Sequence, residues 1–402
     1  MRRVVITGAG TINALARDVP GTYVAMAEGR CGIGPLDVPD IDQLSVKIAA
    51  QVQDWSTEAH FSRAEITQCD RFALFALFAA RQAVTQSGLA FPGDLGGRSG
   101  VILGTGGGGL TTTDDSYRAV YRDNKSRVPP LVVPRLMHSA AASHVSMAHG
   151  ITGPVFNVST ACASSNHAMG LAFQMIRGGG ATAVLTGGSE AMLSFGGLKA
   201  WEALRVMSPD ACRPFSADRN GMVQGEGAAV FVFEDRDHAI ARGADILAEV
   251  LGFGMSSDAA ELVMPSREGA ARAMALALCD AGRTPGDVGY INAHGTGTAA
   301  NDRTECAAIG DVYGLHAQHL MVSSTKSMHG HLIGGTGAVE LLACLMALRQ
   351  GIIAPTVGYR VADPDCALDV VPNTARQAKV TTVASNAFAF GGLNAVLVLG
   401  QA

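Results

Sequence analysis

Four short segments of this sequence carry residue types that could do chemistry together. In Asn157-Val158-Ser159-Thr160-Ala161-Cys162-Ala163-Ser164-Ser165-Asn166 an apolar strand ends, and a cysteine stands among small residues where a helix begins. A thiol in that place faces unpaired N–H groups and the positive end of the helix dipole, which favour thiolate. The same N–H groups can hold the oxyanion formed when sulfur attacks a carbonyl. A buried cysteine acting as a small hydrophobe is the competing reading, and it suits the other seven cysteines better. In Asn292-Ala293-His294-Gly295-Thr296-Gly297-Thr298 a histidine closes a strand, and its ring can project into a cleft. Taken alone, His294 reads equally well as an ordinary hydrogen-bonded histidine.

The third segment, Ser323 to Leu332, delivers Lys326, His329 and His331 into a glycine-flanked turn. An ammonium beside an imidazole keeps the ring neutral, so that it donates a hydrogen bond without carrying charge. A solvated surface lysine is the alternative for Lys326. No cysteine or carboxylate accompanies the His-x-His pair within this segment, so no metal centre is expected. The fourth segment, Ser385 to Asn394, is a strand that breaks at Gly391-Gly392 and resumes. It reads as a hairpin with a buried aromatic, or as a mobile Phe390 hinged by the two glycines.

The elements that must position these segments alternate short β-branched runs with amphipathic stretches, the α/β pattern. Strands are expected at Val4–Thr7, Val101–Leu103, Val155–Val158, Val184–Thr186 and Ala229–Phe233, with helices at Arg71–Ser87, near Ser139–His149 and after Cys162. The order then repeats. Strands are expected at Ile246–Leu251, Tyr290–Ala293, Met321–Ser324, Val380–Ser385 and Ala395–Leu399, with helices at Glu268–Ala281, Asp302–Val312 and Ala338–Leu348. Glu340 is the one charge on that last helix, which is therefore expected inside the body. Element order divides the chain into halves at 1–242 and 243–402.

Composition limits the function classes. The chain has 402 residues, a net charge of −5, 48% hydrophobic and 16% charged residues, and 49 glycines. The balance excludes a globally basic nucleic-acid binder, and the low charge predicts a face covered by a partner subunit. Arg2-Arg3 precedes too short an apolar run for a signal peptide, and no stretch reads as a membrane span. Eight scattered cysteines without a CxxC pair fit reduced thiols in the cytoplasm. Gly8-Ala9-Gly10-Thr11-Ile12-Asn13 begins like a dinucleotide fingerprint, but Asn13 stands at the third glycine, so an oxidoreductase is not expected.

Cys162 in STACASS, His294 in NAHGTGT, Lys326 and His331 in STKSMHGH, and the closing SNAFAFGGLN together resemble the β-ketoacyl-acyl-carrier-protein synthases, more narrowly the elongating type-II condensing enzymes. The resemblance runs from Val4 to Leu399 and takes in Gly187–Glu190, Arg213–Ser216 and Gly225–Gly227. It implies a thiolase-type α/β fold of two related αβαβα halves in five layers, a homodimer, and no cofactor. It implies that Cys162 takes an acyl chain from an acyl carrier protein as a thioester. Malonyl on a second carrier then loses CO2 and attacks it. His294 and His331 would donate from Nε2 to the malonyl thioester oxygen. Phe390 would be the gate, its backbone N–H completing the oxyanion hole with that of Cys162, and Gly391-Gly392 its hinge. Glu340 would partner Lys326, and Glu305 would be a second supporting carboxylate.

Departures from the family pattern carry expectations of their own. Gly107 stands where a bulky aliphatic commonly limits acyl depth, and should open the acyl pocket. His329 stands where a small hydroxyl residue is common, and Leu393 where threonine is. The approach Ser62–Gln68 is poor in the basic residues that usually meet a carrier, leaving Arg63, Lys125, Arg127 and Arg205 for that role. ANDRTE, SMHGHLIGG and AFAFGGLNAV are most similar to the nodulation-type synthases, which make specialised, often polyunsaturated chains. A thiolase would need a second cysteine near the C-terminus, and a plant-type polyketide synthase an asparagine where His331 stands. The remaining alternative, a non-catalytic or heterodimeric chain-length partner, usually lacks the nucleophile.

Overall fold

The computed structural model describes residues 1–402 and contains one ten-stranded sheet assembly. Its strands are β1 (Val4–Asn13), β2 (Ser99–Gly104), β3 (Val155–Val158), β4 (Ala183–Glu190), β5 (Gly227–Asp235), β6 (Ala248–Ser257), β7 (Tyr290–Asn292), β8 (Met321–Ser323), β9 (Thr382–Ala389) and β10 (Leu393–Gly400). The spatial order is β8-β7-β9-β10-β6-β1-β5-β4-β2-β3. From the central antiparallel pair of Val4–Ile6 with Ala248–Val250, each half runs outward in the same sequence. Strands β1, β5, β4, β2, β3 on one side correspond to β6, β10, β9, β7, β8 on the other. Every strand has a counterpart five places on, which makes the two halves copies of one architecture.

The helices repeat in step. Those that build the layers are α1 (Arg71–Ser87), α2 (Ala140–His149), α3 (Ser164–Arg177), α4 (Arg267–Ala281), α5 (Ala299–Tyr313) and α6 (Thr336–Gln350). Helices α1 and α2 cover the outer face of the first half, and α4 and α5 that of the second. Between the two half-sheets lie α3 and α6, packed on strands of both halves. The result is five layers, with the largest apolar core in the middle one. Residues Thr336 to Leu348 of α6 are all buried, as its apolar surround requires.

Local chemistry sets the ends of these elements. The Asp70 side chain accepts from Phe72 N–H at the start of α1, and Gly88 closes it with φ 68°. That helix has the expected bounds. The first strand is longer than its apolar run, continuing from Thr7 through Asn13. Gly8 and Gly10 therefore lie inside β1 and form no phosphate loop. A Cβ on either would stand 2.1 Å from a backbone carbonyl of α1, so only glycine lets the helix lie on the strand. No helix is long and apolar enough to cross a membrane.

Candidate active site

Two connections of the same rank, one from each half, meet in the middle of the molecule. The first leaves β3 and enters α3 through Ser159–Ala163; Ala161 there has φ 47° and Cys162 is buried. The second leaves β8, passes the short helix Lys326–His329, and enters α6 after His331. The His331 Nε2 lies 3.1 Å from Cys162 Sγ. His294, delivered by the end of β7, stands against His331 with ring centroids 5.4 Å apart at 82°.

Buried carboxylates hold this group from behind. Glu305 of α5 accepts the backbone N–H of His294 at 2.8 Å and of Gly295 at 2.7 Å, and takes Asn386 Nδ2 of β9 at 3.1 Å. Lys326 is fully buried, so a lone ammonium there would be costly. It pairs with Glu340 Oε1 at 2.5 Å, donates to the His294 carbonyl, and lies 3.4 Å from His294 Nδ1. Burial pushes Glu340 up to about 7, with Lys326 working against it, and raises Glu305 as well.

The protons of both imidazoles follow from their neighbours. Lys326 can only donate, so His294 Nδ1 accepts and its proton sits on Nε2. The Ile333 N–H donates to His331 Nδ1 at 3.2 Å, with Thr336 Oγ1 at 2.8 Å on the same atom, so His331 also carries its proton on Nε2. Both rings are held far below the ordinary histidine range, by burial first and by Lys326 second, and stay neutral. Burial likewise pushes the Cys162 thiol up to about 12, opposed by Lys326. The helix terminus is expected to favour thiolate, and enclosure acts in the opposite direction.

Cys162, His294 and His331 offer ligand atoms within 4.8 Å of one another, a spacing suited to a metal ion. A metal would need the Nε2 lone pairs, with each proton moved to Nδ1. There it would meet the Ile333 N–H and the Lys326 ammonium, donor against donor. The surroundings are built for two N–H donors and do not fit a metal.

A cavity of about 230 Å³ leads to the sulfur and is lined by Cys162, His294, His331, Phe388, Phe390 and Trp201 among others. Phe390 stacks on Trp201 with centroids 6.1 Å apart. It sits in the three-residue turn joining β9 and β10, where Gly391 and Gly392 have φ 83° and 68°. That turn is tied to the rim of the mouth, with Gly391 N–H on Leu262 O at 2.7 Å and Asp258 N–H on Gly392 O at 2.9 Å.

Other residues singled out from the sequence fall elsewhere. Gly107 is not part of the cavity lining. A Cβ there would stand 3.0 to 3.1 Å from three atoms of Met192, so the space it vacates is already filled. His329 is fully buried and faces Gly330 O and Thr325 Oγ1, not the cavity. Leu393 begins β10 opposite Ala389. Of the exposed cations, Arg205 lies between two mouth residues, Leu204 and Val206, whereas Arg63, Lys125 and Arg127 adjoin none. Sequence reasoning passed over Met192, Ile333 and Thr336, and took Glu190 only as a landmark. A carboxylate at the end of an apolar strand was the available signal for Glu190.

Residues 1–239 match the family pattern described as Beta-ketoacyl synthase, N-terminal domain, and residues 247–360 match Beta-ketoacyl synthase, C-terminal domain. The chain is 49% identical to Nodulation protein E of Rhizobium sp. (strain N33), over 100% of this chain and 99% of that protein. It is 39% identical to 3-oxoacyl-[acyl-carrier-protein] synthase 2 of Staphylococcus aureus (strain N315), over 99% and 98% of the two chains. Among solved structures, the ishigamide ketosynthase/chain length factor superposes with a TM-score of 0.95 at 37% identity, covering 100% of this chain and 99% of that one. A type II PKS ketosynthase (AntDE), solved with its acyl-carrier protein (AntF), gives 0.91 at 30% identity and covers 100% and 99%.

Proposed function

The chain belongs to the β-ketoacyl synthase family, and from that premise we propose how its residues divide the work of an elongating 3-oxoacyl-[acyl-carrier-protein] synthase. The reaction is a decarboxylating condensation in fatty acid or specialised acyl-chain biosynthesis. Cys162 Sγ attacks the thioester of an acyl carrier protein. Its C–S bond forms, the carrier C–S bond breaks, and the thiol proton leaves with the carrier sulfur. Malonyl on a second carrier then breaks its bond to the carboxylate, releasing CO2 and leaving the electron pair as an enolate. The enolate carbon attacks the acyl-Cys162 carbonyl, and the sulfur departs and is reprotonated from solvent. One proton is consumed for each CO2 released.

His294 and His331 donate from Nε2 to the malonyl thioester oxygen as charge gathers there. This preorganised pair gains strength from the enclosure that keeps both rings neutral. The observation that carries the reading is the donor arrangement on both Nδ1 atoms, which leaves two N–H groups beside one sulfur. Lys326 and Glu340 form a buried neutral pair that fixes His294, and Glu305 fixes its backbone. We assign the oxyanion hole to the N–H groups of Cys162 and Phe390, and the gate to Phe390 with Gly391 and Gly392. Gly107, outside the cavity while Met192 lies against it, is assigned to an extension of the acyl pocket that opens when Met192 moves. The nucleophile belongs to half 1–242, and the histidine pair and lysine to half 243–402.

The partners are an acyl carrier protein bearing acyl and malonyl groups, reached in the cytoplasm, and a second copy of the chain. Support for the homodimer is β3, an outer edge of the sheet with Phe156 exposed, together with the exposed Tyr117 and Tyr121 of a helix (Leu110–Tyr121). A non-catalytic chain-length partner would have no use for an aligned thiol and donor pair. The test is mass spectrometry with acyl carrier substrate and a CO2 assay with malonyl carrier. Cys162→Ala should lose the acyl adduct completely. His294→Ala and His331→Ala should each retain much of it while CO2 release falls by about 10²-fold or more. An adduct surviving in Cys162→Ala rejects the assignment.

A further inference from the structure

Glu190 ends β4 fully buried, and none of the steps above uses it. Its carboxylate takes four donors. Gly106 N–H at 2.6 Å and Gly334 N–H at 3.0 Å share Oε2; Gly107 N–H and Thr105 Oγ1, both at 3.1 Å, share Oε1. Four donors and none of its own favour the carboxylate form, against burial, which pushes Glu190 up to about 7. The donors come from both halves. Thr105–Gly107 follow β2, while Gly334 lies between His331 and α6.

The residue between His331 and Gly334 that matters is Ile333, whose φ is +47°. A β-branched side chain in the left-handed region costs about 1 to 3 kcal/mol and persists only where its surroundings hold it. Two hydrogen bonds do so: Gly334 N–H on Glu190, and Ile333 N–H on His331 Nδ1 at 3.2 Å. The second bond also puts the His331 proton on Nε2, 3.1 Å from Cys162 Sγ.

We propose that Glu190 is a positioning residue for the decarboxylation step, holding the Ile333–Gly334 peptide in its strained form and thereby locking His331 in the Nε2–H tautomer. The proposal rests on the reading that His331 donates to the malonyl thioester. Glu190 touches no reacting atom; it acts on His331 through one peptide unit. Its bonds to Gly106 and Gly107 tie the loop below the nucleophile to the same carboxylate, so both halves keep register at the site.

The test is Glu190→Gln, which keeps the size but turns an acceptor toward N–H groups as a donor. Three quantities are read: the acyl-Cys162 adduct by mass, CO2 release from malonyl carrier, and the ¹⁵N spectrum of the imidazoles. The adduct should form as in the wild type, CO2 release should fall by about tenfold or more, and the His331 Nδ1 signal should lose its acceptor signature. Adding Ile333→Gly should restore most of the CO2 release, because glycine takes positive φ without strain. Glu190→Asp, shorter but still charged, should lie between wild type and Glu190→Gln; it serves if the latter does not fold. Normal CO2 release in Glu190→Gln overturns the proposal. So does an unchanged tautomer signal, or failure of Ile333→Gly to restore the rate. Absence of the adduct from the wild type itself would instead overturn the underlying reaction scheme.

Discussion

At the scale of single residues, the site is defined by where protons are held. Lys326 and Ile333 each place a donor on an Nδ1 atom, and the two Nε2 protons face the sulfur as a consequence. His329 shows the cost of burying such rings. Enclosure, with Lys326 second, lowers it to about 3. Below about pH 6.5 the unfolded chain binds a proton at this ring that the folded chain refuses, so stability falls as pH falls, by about 1.4 kcal/mol per pH unit. His329→Thr should remove that share of the slope in denaturation measured between pH 6.5 and 4.5. Gly107→Ile should press on Met192, a side chain flexible enough to move but not to vanish. Its product distribution should shift to shorter chains by mass spectrometry, and an unchanged profile would remove Gly107 from the acyl pocket. Cys162, His294, Lys326 and His331 were legible in the sequence because each stands where a strand or short turn gives way to small residues. Met192 and Ile333 were not. Their roles depend on glycines of another segment, far away in the chain, whose missing side chains make room for them.

At the scale of elements, local signals worked where the end of an element is set locally. The helix Arg71–Ser87 has its expected bounds, and Asp70 and Gly88 cap it there. The first strand was cut short at Thr7, because glycine reads as a turn and the sequence does not show α1 lying against the strand at Gly8 and Gly10. Helix Leu110–Tyr121 was missed because its Thr-rich first turns carry no apolar period. The β9–β10 turn is the proposed gate. A Cβ on Gly392 would stand 2.5 Å from Asp258 Cβ, at a φ of 68° that disfavours any side chain. Gly392→Ala should therefore separate the turn from the Leu262 rim. Loading of Cys162 from acyl carrier should slow by about tenfold, an effect on the scale of the 1–3 kcal/mol carried by such strained positions. Alkylation by a small thiol reagent should change little, and equal effects on both would mean that the turn does not govern carrier access.

At the scale of the whole molecule, the low charge and abundant glycine of the sequence become intelligible. Two half-sheets enclose a helical layer that must be apolar on every side, and close backbone approaches recur at the connections around the sulfur. In the proposed homodimer the edge strand β3 is the face to be covered. Phe156→Asp should shift the sedimenting species from two chains to one, and a wild-type protein that sediments as a single chain would exclude the homodimer.

The matched order of the halves has one more consequence. Cys162 precedes α3 and His331 precedes α6, the two counterpart helices of the central layer. The sulfur and nitrogen that meet at 3.1 Å thus lie on corresponding connections of the two halves. In a symmetric dimer of two identical chains, both connections would have to be the same. Fusion of two gene copies removes that constraint, leaving one loop free to become the nucleophile and the other the hydrogen-bond donor.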